Sequence, residues 1–580
     1  MINIYQLFPR LFGNTVNTQI PFGTIEENGC GKLNEINRAA IISLKKLGIT
    51  HIWLTGILRH ACLTDYSQYD IPTSHPQTVK GRAGSPYAIN DYYDIDPDLA
   101  TDPARRFDEF HALTDRIHDQ GLKVLIDFVP NHVARQYQSV AKPNTASDFG
   151  NQDITHQSFN PANNFYYLPD QVLKLPIDQN APFKFEKPYE EFPAKVTGND
   201  CFSATPGITD WYETVKLNYG KNYDNHTLHQ DPIPDTWNKM YEILHFWASK
   251  GVDGFRVDMA AMVPLPFWDW VIRKIKAQYP AILFIAEIYE AHLYQQFIAA
   301  GFDFLYDKVG LYNRLEDIIR HGHPAESIGI CWKMLNGLDD YMLRFMENHD
   351  EPRLASANFV GDPFKALPAV AASALMHKGP FLIYNGQESG EEASGSAGFS
   401  GDDGRSSLFD YSHMPQHQNW MNNGSFNEYS LTPAQKELRD FYHQILNLRL
   451  ENKAVSQGSF YDLMWANPWY TNFDPKHIYA FLRYFEDEIL LVILNFHTSE
   501  SRNLNLNIPE DAQKLASIIS TTTRKCWIAE NLFDRADKQT FYPEKLTTEG
   551  IWLHLEPSQC AIYKLQPIPK NYDHANTENC

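Results

Sequence analysis

The chain has 580 residues, 50 of them Lys or Arg and 71 Asp or Glu, for a formal charge of −21 with histidine neutral. That balance excludes a nucleic-acid partner, whose phosphates need compensating cations, and favours a neutral substrate. The length exceeds one ordinary domain, and no stretch approaches the ~18 apolar residues of a membrane span, so no membrane association is expected.

Met1–Arg10 has no basic segment followed by an apolar one, so no signal peptide is read and a cytoplasmic location is expected. Cys30, Cys62, Cys201, Cys331, Cys526, Cys560 and Cys580 are scattered and odd in number. No pair has metal-ligand spacing, and reduced thiols are the plain expectation.

The first half repeats one device: amphipathic helix, glycine, strand. Leu33, Ile36, Ala40, Leu44 and Leu47 recur at helical spacing, Gly48 fits the helix stop, and Ile49–Leu54 follows as a strand. Phe107, Phe110, Leu113 and Ile117 lead through Gly121 into Leu122–Val129. Trp237, Met240, Leu244 and Trp247 lead through Gly251 into a strand that ends at Asp258. Strands are predicted near residues 2–7, 50–54, 122–128, 252–257, 282–287, 303–306, 342–347 and 380–384. Eight strands alternating with helices predict a parallel (β/α)8 TIM barrel.

The rhythm breaks between residues 135 and 235, a stretch rich in Asn, Asp, Pro and Tyr without a long periodic helix. A structureless loop of that length does not suit a barrel, so an inserted domain after the third strand is predicted. From 453 the strand-like segments His477–Tyr484, Glu488–Phe496 and Ala561–Leu565 predict a C-terminal antiparallel β-sandwich. The division expected is 1–134 and 236–452 for the barrel, 135–235 for the insertion, 453–568 for the sandwich and 569–580 for a loose tail.

Three acids end apolar strand-like runs: Asp258 after Val252–Val257, Glu287 after Ile282–Ala286, and Asp350 at the end of Phe345–Asp350. A carboxylate cannot enter a dry core as a charge, but acids at strand ends meet at the C-terminal mouth of a parallel barrel. Three acids converging there suggest acid-assisted cleavage of a glycosidic bond.

Four ordered segments carry a resemblance: Asp127–His132, Gly254–Asp258, Phe284–Glu287 and Phe345–Asp350. Lys216-Leu217-Asn218-Tyr219 and Gly379–Glu388 are weaker additions. Together they resemble the signature of the α-amylase superfamily, glycoside hydrolase family 13, over roughly residues 1–450. The resemblance implies a retaining double displacement in which Asp258 is the nucleophile, Glu287 the general acid and base, and Asp350 the group that holds sugar hydroxyls. It further implies that His132 and His349 bond hydroxyls of the same sugar, that Tyr87 stacks beneath it, and that Asp127 orients its neighbours. Arg256 lies two residues before Asp258, on the same side of the strand, and its permanent charge is expected to keep Asp258 ionised.

Two departures bear on calcium. Ala261 and Met262 stand where the amylases this chain resembles often carry Lys-His, the histidine carbonyl helping to bind calcium, which leaves Asn131 as the candidate calcium ligand. In the first loop, Gly31-Lys32-Leu33 places an ammonium where some relatives have a carboxylate ligand, and an ammonium cannot coordinate a cation. No metal is read and no cofactor is expected to be required.

The expected function is a retaining hydrolase of α-glucosidic bonds in α-glucans or maltooligosaccharides, with an α-glucan transferase using the same triad as the alternative. A catalytically dead, transporter-associated relative would lack triad members and carry an anchor. Here Asp258, Glu287 and Asp350 are all present.

Overall fold

The computed structural model describes residues 1–177, 181–468, 472–518 and 526–568. The expected tail at 569–580 lies outside them.

Eight parallel strands close a barrel: β1 (Asn3–Leu7), β2 (His51–Leu54), β3 (Lys123–Phe128), β4 (Gly254–Val257), β5 (Leu283–Ala286), β6 (Phe304–Tyr306), β7 (Met342–Phe345) and β8 (Phe381–Tyr384). Each pairs with its neighbours in sequence, and β1 closes on β8 through Asn3 opposite Phe381. All eight predicted strands are present.

Outside them pack α1 (Arg38–Leu47), α2 (Arg106–His118), α3 (Asp235–Ser249), α4 (Leu265–Lys276), α5 (Tyr294–Ala299), α6 (Asn313–His321), α7 (Ile328–Leu335), α8 (Leu367–Leu375) and α9 (Pro433–Glu451). In α1 the periodic face Ala40, Ile41, Leu44 and Leu47 is buried. Asn37 caps its first turn by accepting from the Ala40 amide at 3.0 Å. Gly48 ends it with φ +106°, and a Cβ there would meet Leu446 Cβ at 2.9 Å. The helix therefore starts at Arg38 rather than at Leu33, which lies in a separate short turn, Leu33–Glu35. Leu33 and Ile36 are buried all the same.

The chain between β3 and α3 forms a small unit with its own pairings. His132–Ala134 runs antiparallel to Thr214–Lys216, with His132 opposite Lys216, and Tyr167–Leu168 pairs with Ala194–Lys195. Tyr166, Leu168, Leu173, Ala194 and Val196 make a separate apolar cluster. Phe165, Tyr166 and Tyr167 are buried, so these aromatics belong to packing and not to a sugar platform.

The C-terminal part is an antiparallel sandwich. Its strands are β9 (Ser459–Asp462), β10 (Ile478–Phe485), β11 (Glu488–Asn495), β12 (Arg502–Leu506), β13 (Trp527–Asn531), β14 (Lys538–Phe541), β15 (Ile551–Leu555) and β16 (Cys560–Pro567). One sheet has the order β9-β10-β11-β16-β13-β14 and the other pairs β12 with β15, and apolar residues of both share one cluster. Arg483 of β10 is buried and donates to four backbone carbonyls. These are Met376 at the end of α8 (2.5 Å), Ala454 (3.1 Å), Val455 (2.8 Å) and Gly458 (3.0 Å).

Cys30, Cys62, Cys201, Cys331 and Cys560 are free thiols, whereas Cys526 is disulfide-bonded, so the expectation of uniformly reduced cysteines fails there. Among the described residues no helix is long and apolar enough to cross a membrane.

Candidate active site

Because β4 and β5 are adjacent and in register, with Val257 opposite Ala286, the residues that follow them are brought side by side at the barrel mouth. These residues are Asp258 and Glu287. The backbone turns sharply after Asp258: Met259 has φ +44°, a left-handed conformation that costs a non-glycine residue about 1–3 kcal/mol. That turn aims the Met259 amide at Glu287 Oε2, 2.9 Å away. Strain next to Asp258 is thus coupled to the placement of Glu287.

Arg256 lies beneath both carboxyls, 1 % exposed. Its Nη1 is 3.0 Å from Asp258 Oδ1 and 3.4 Å from Asp127 Oδ1, while Nη2 is 2.9 Å from Glu287 Oε2. Its Nε donates to the Tyr306 hydroxyl at 3.2 Å. Asp127 is held in turn by the Trp53 indole N–H (3.1 Å) and the Gly56 amide (3.2 Å).

The structure brings the third acid to the same place by a different route. β7 stops at Phe345, so Asp350 does not end a strand as expected but sits in a turn five residues on. Asn348 Oδ1 caps that turn, accepting from the amides of Asp350 (2.8 Å) and Glu351 (3.1 Å). Arg405 reaches across from the loop after β8 to the Asp350 carbonyl at 2.6 Å. The polar Glu347-Asn348-His349 run is buried on side-chain partners instead of a ladder, which is why an apolar-run reading overextended the strand.

His349 is fixed on both ring nitrogens. Gln6 Nε2 lies 2.7 Å from Nδ1, and the Tyr87 hydroxyl 2.6 Å from Nε2, which is also 3.1 Å from Asp350 Oδ2. Tyr87 stacks on the His349 ring at 5.3 Å. With Gln6 donating to Nδ1, the ring proton belongs on Nε2, facing Tyr87 and Asp350. Burial, then the charge of Arg256, holds the imidazole well below its usual range, so it is neutral.

One cavity of about 290 Å³ is lined by Tyr87, His132, Asp258, Glu287, His349 and Asp350 together. Every side chain predicted as catalytic or sugar-binding, except the buried Arg256, therefore faces one space. Its further walls include Trp211 and Tyr289, with Phe399 and Phe409 from the loop after β8. Trp211 packs 5.2 Å from the His132 ring. Its neighbour Tyr212 is buried under Lys80 and is not part of the wall.

The electrostatics differ in one respect from expectation. Burial, then the charge of Glu287, pushes the Asp258 carboxyl well above the usual carboxylate range, against the pull of Arg256. Asp350 is pushed up to about 7 by the same two causes, and Asp127 to about 6 by burial. One guanidinium cannot neutralise all these acids, so the cluster retains protons near neutral pH.

Tyr289 was not legible in the sequence. Its hydroxyl lies 2.5 Å from Glu287 Oε1. Oε2 faces Arg256 and the Met259 amide, groups that can only donate, so a proton carried by Glu287 belongs on Oε1 beside a hydroxyl that can accept it.

The surroundings of Asn131 do not fit a calcium ion. Its Oδ1 accepts from the Lys216 ammonium, which is also 3.3 Å from the Met262 carbonyl and 2.7 Å from Asp200 Oδ1. Lys216 is almost fully buried, and its charge occupies the point where these three oxygens converge. A divalent cation cannot share that point with an ammonium. In the first loop Lys32 donates to the Asp98 carbonyl at 2.5 Å.

Residues 6–282 match the family model described as Alpha amylase, catalytic domain. Alpha-amylase 3 of Dictyoglomus thermophilum is 23% identical, over 80% of this chain and 81% of its own length. Trehalose-6-phosphate hydrolase of Bacillus subtilis is 22% identical, over 86% of this chain and 89% of its own. The solved noncanonic maltogenic alpha-amylase AmyB of Thermotoga neapolitana superposes with a TM-score of 0.60 at 20% identity, over 97% of this chain and 98% of that one. The match runs from within β1 to just before β5, so this part of the chain is an α-amylase catalytic domain, and the protein is a glycosidase of the α-amylase type.

Proposed function

We propose that the protein is a retaining glycoside hydrolase that cleaves α-glucosidic bonds in α-glucans or maltooligosaccharides through a covalent glycosyl-enzyme. The observation that carries this reading is Arg256 facing two carboxyls at once, 3.0 Å from Asp258 and 2.9 Å from Glu287. A single positive charge supports one carboxylate beside one protonated acid, and the proton that burial favours on Asp258 in the free site has to sit on Glu287 when the sugar is bound, the division of labour that retaining chemistry needs.

In the first step the Asp258 carboxylate attacks the anomeric carbon while the bond to the leaving oxygen breaks, and that oxygen takes the proton from Glu287 Oε1. The ionised Glu287 then removes a proton from water as the water oxygen attacks the anomeric carbon, and Asp258 departs as carboxylate. Asp350, His349 and His132 offer oxygen and N–H partners to the hydroxyls of the enclosed sugar, and Tyr87 an apolar face. No metal is required in this scheme, since Lys216 supplies the positive charge behind Asn131.

The same reading keeps the enzyme in the cytoplasm. Five free thiols support that location, the disulfide bond at Cys526 opposes it, and cell fractionation decides it.

Digestion of maltoheptaose tests the function. Chains shorter than the substrate, released first as the α-anomer by NMR, support retaining hydrolysis. Longer chains would assign the acceptor role to a sugar and make the enzyme a transferase. Release of the β-anomer would overturn the covalent mechanism.

A further inference from the structure

At the N-terminal end of the barrel strands, opposite the catalytic mouth, α7 packs beside β9 of the sandwich. Two adjoining hollows of about 430 and 440 Å³ run along that seam and share Trp332, Lys333 and Phe460. Trp465 borders the first and is 63 % exposed. Ile330, 50 % exposed, lines the same hollow, so the two side chains together give it an exposed apolar lining of the kind that marks a binding surface.

The rings around it are held in place. The Trp332 indole N–H donates to Asp462 Oδ2 at 3.1 Å, and the same oxygen accepts from Tyr479. The Trp332 and Phe460 rings meet edge to face at 5.6 Å. Tyr461 is fixed by donating to Asp511 at 2.6 Å. The second hollow adds Asn336, Ser459 and the half-exposed Asp340–Lys378 pair at 3.0 Å.

These features select a ligand chemistry. Glu326, Asp339, Asp340 and Asp462 face Lys333, Lys378 and Arg483 along the groove, so acids and bases nearly offset one another and neither a strong anion nor a strong cation is selected. Rigid aromatic faces followed by mixed donors and acceptors suit the apolar faces and hydroxyl edges of successive pyranose rings. Two hollows in line suit a chain of sugars better than a single one.

We propose that this seam groove is a second, non-catalytic binding site for an α-glucan chain, with Trp465 as its stacking platform. The ligand class rests on the function proposed above. The groove holds polymer to the enzyme at a face remote from the cleft, so it acts on long substrates and not on short ones.

The test compares the wild-type enzyme with Trp465→Ala and Trp465→Phe, in native gels containing amylopectin and in kinetics on amylopectin and maltotriose. Trp465→Ala should lose about fivefold or more of its retardation by amylopectin and raise KM for it by a similar factor, with Trp465→Phe in between. Its kcat/KM on maltotriose should stay within about twofold of wild type, because the groove does not meet the cleft. Equal retardation of wild type and Trp465→Ala would overturn the proposal. A change in the elution volume of the ligand-free protein with Trp465→Ala would also overturn it, giving the groove to a second copy of the chain. A wild-type enzyme retained through Trp465 that cleaves neither substrate would leave the groove standing and overturn the catalytic reading instead.

Discussion

The Tyr289 hydroxyl and Glu287 Oε1 are 2.5 Å apart, while the other oxygen of Glu287 faces only donors. This asymmetry places the transferable proton on one defined oxygen. In the proposed mechanism Tyr289 positions Glu287 as the acid, and Tyr289→Phe should then lower kcat on maltooligosaccharides by about 10- to 100-fold, the worth of a hydrogen bond to a charged group. KM should change little. An aryl glycoside with a good leaving group should lose far less in the first step, because it needs little protonation. Equal losses on both substrates would reduce Tyr289 to a packing role.

Asp258→Asn and Glu287→Gln should separate the two acids. The first removes the nucleophile and should cost several orders of magnitude on every substrate, with glucan binding retained. The second should cost ~10²–10⁴-fold on natural substrates and spare glycosylation by activated ones in pre-steady-state measurements. Near-normal turnover by a verified Asp258→Asn preparation would reassign the roles.

EDTA should leave activity and melting temperature nearly unchanged, because the convergent oxygens of Asn131, Asp200 and Met262 already hold an ammonium. Lys216→Met should destabilise the protein by ~3 kcal/mol, by leaving the Asn131 and Met262 oxygens without a donor. Calcium-reversible melting of the wild type in EDTA would contradict this.

Stability should peak between about pH 6 and 7, from two opposed groups of buried residues. Glu347 and Asp350 are pushed up to about 7, chiefly by burial. Their contribution is complete below the unfolded carboxylate value and is lost as pH rises through 7. His51, held down at about 4, and His132 and His417, at about 3, are neutral because they are buried. Their contribution is complete above about pH 6.5 and is lost as pH falls below it, since only the unfolded chain then takes up protons. Melting temperatures across pH 5 to 9 would show the maximum. A steady rise over that range would mean the carboxylates are ionised in the folded protein.

All eight strands and the three acids were readable because buried parallel strands are short apolar runs and the acids follow them directly or nearly so. What the sequence withheld is contact across distance. Lys216 meets Asn131 from 85 residues away, and nothing local in Lys216-Leu217-Asn218 marks it as a built-in cation. Tyr289 is a lone tyrosine in a loop, without periodicity to give it a face. Asp258 was expected to be held ionised by Arg256, but sequence cannot weigh one guanidinium against the summed burial of several acids. Trp211 and Tyr212 are adjacent in sequence, yet one lines the cleft and the other is packed under Lys80.

Arg483 makes the sandwich and the barrel a single thermodynamic unit. Its guanidinium caps carbonyls at the end of α8 and in the 454–458 segment that joins the two domains, and burial lowers it to about 10 without a carboxylate among its hydrogen-bond partners. Separating the domains would strand that charge and those carbonyls together, a cost that neither half can absorb alone. Calorimetry of the whole chain should therefore give one transition, and Arg483→Met should split it into two. A gene cut at residue 452 would yield insoluble barrel, even though every proposed catalytic group lies upstream of the cut.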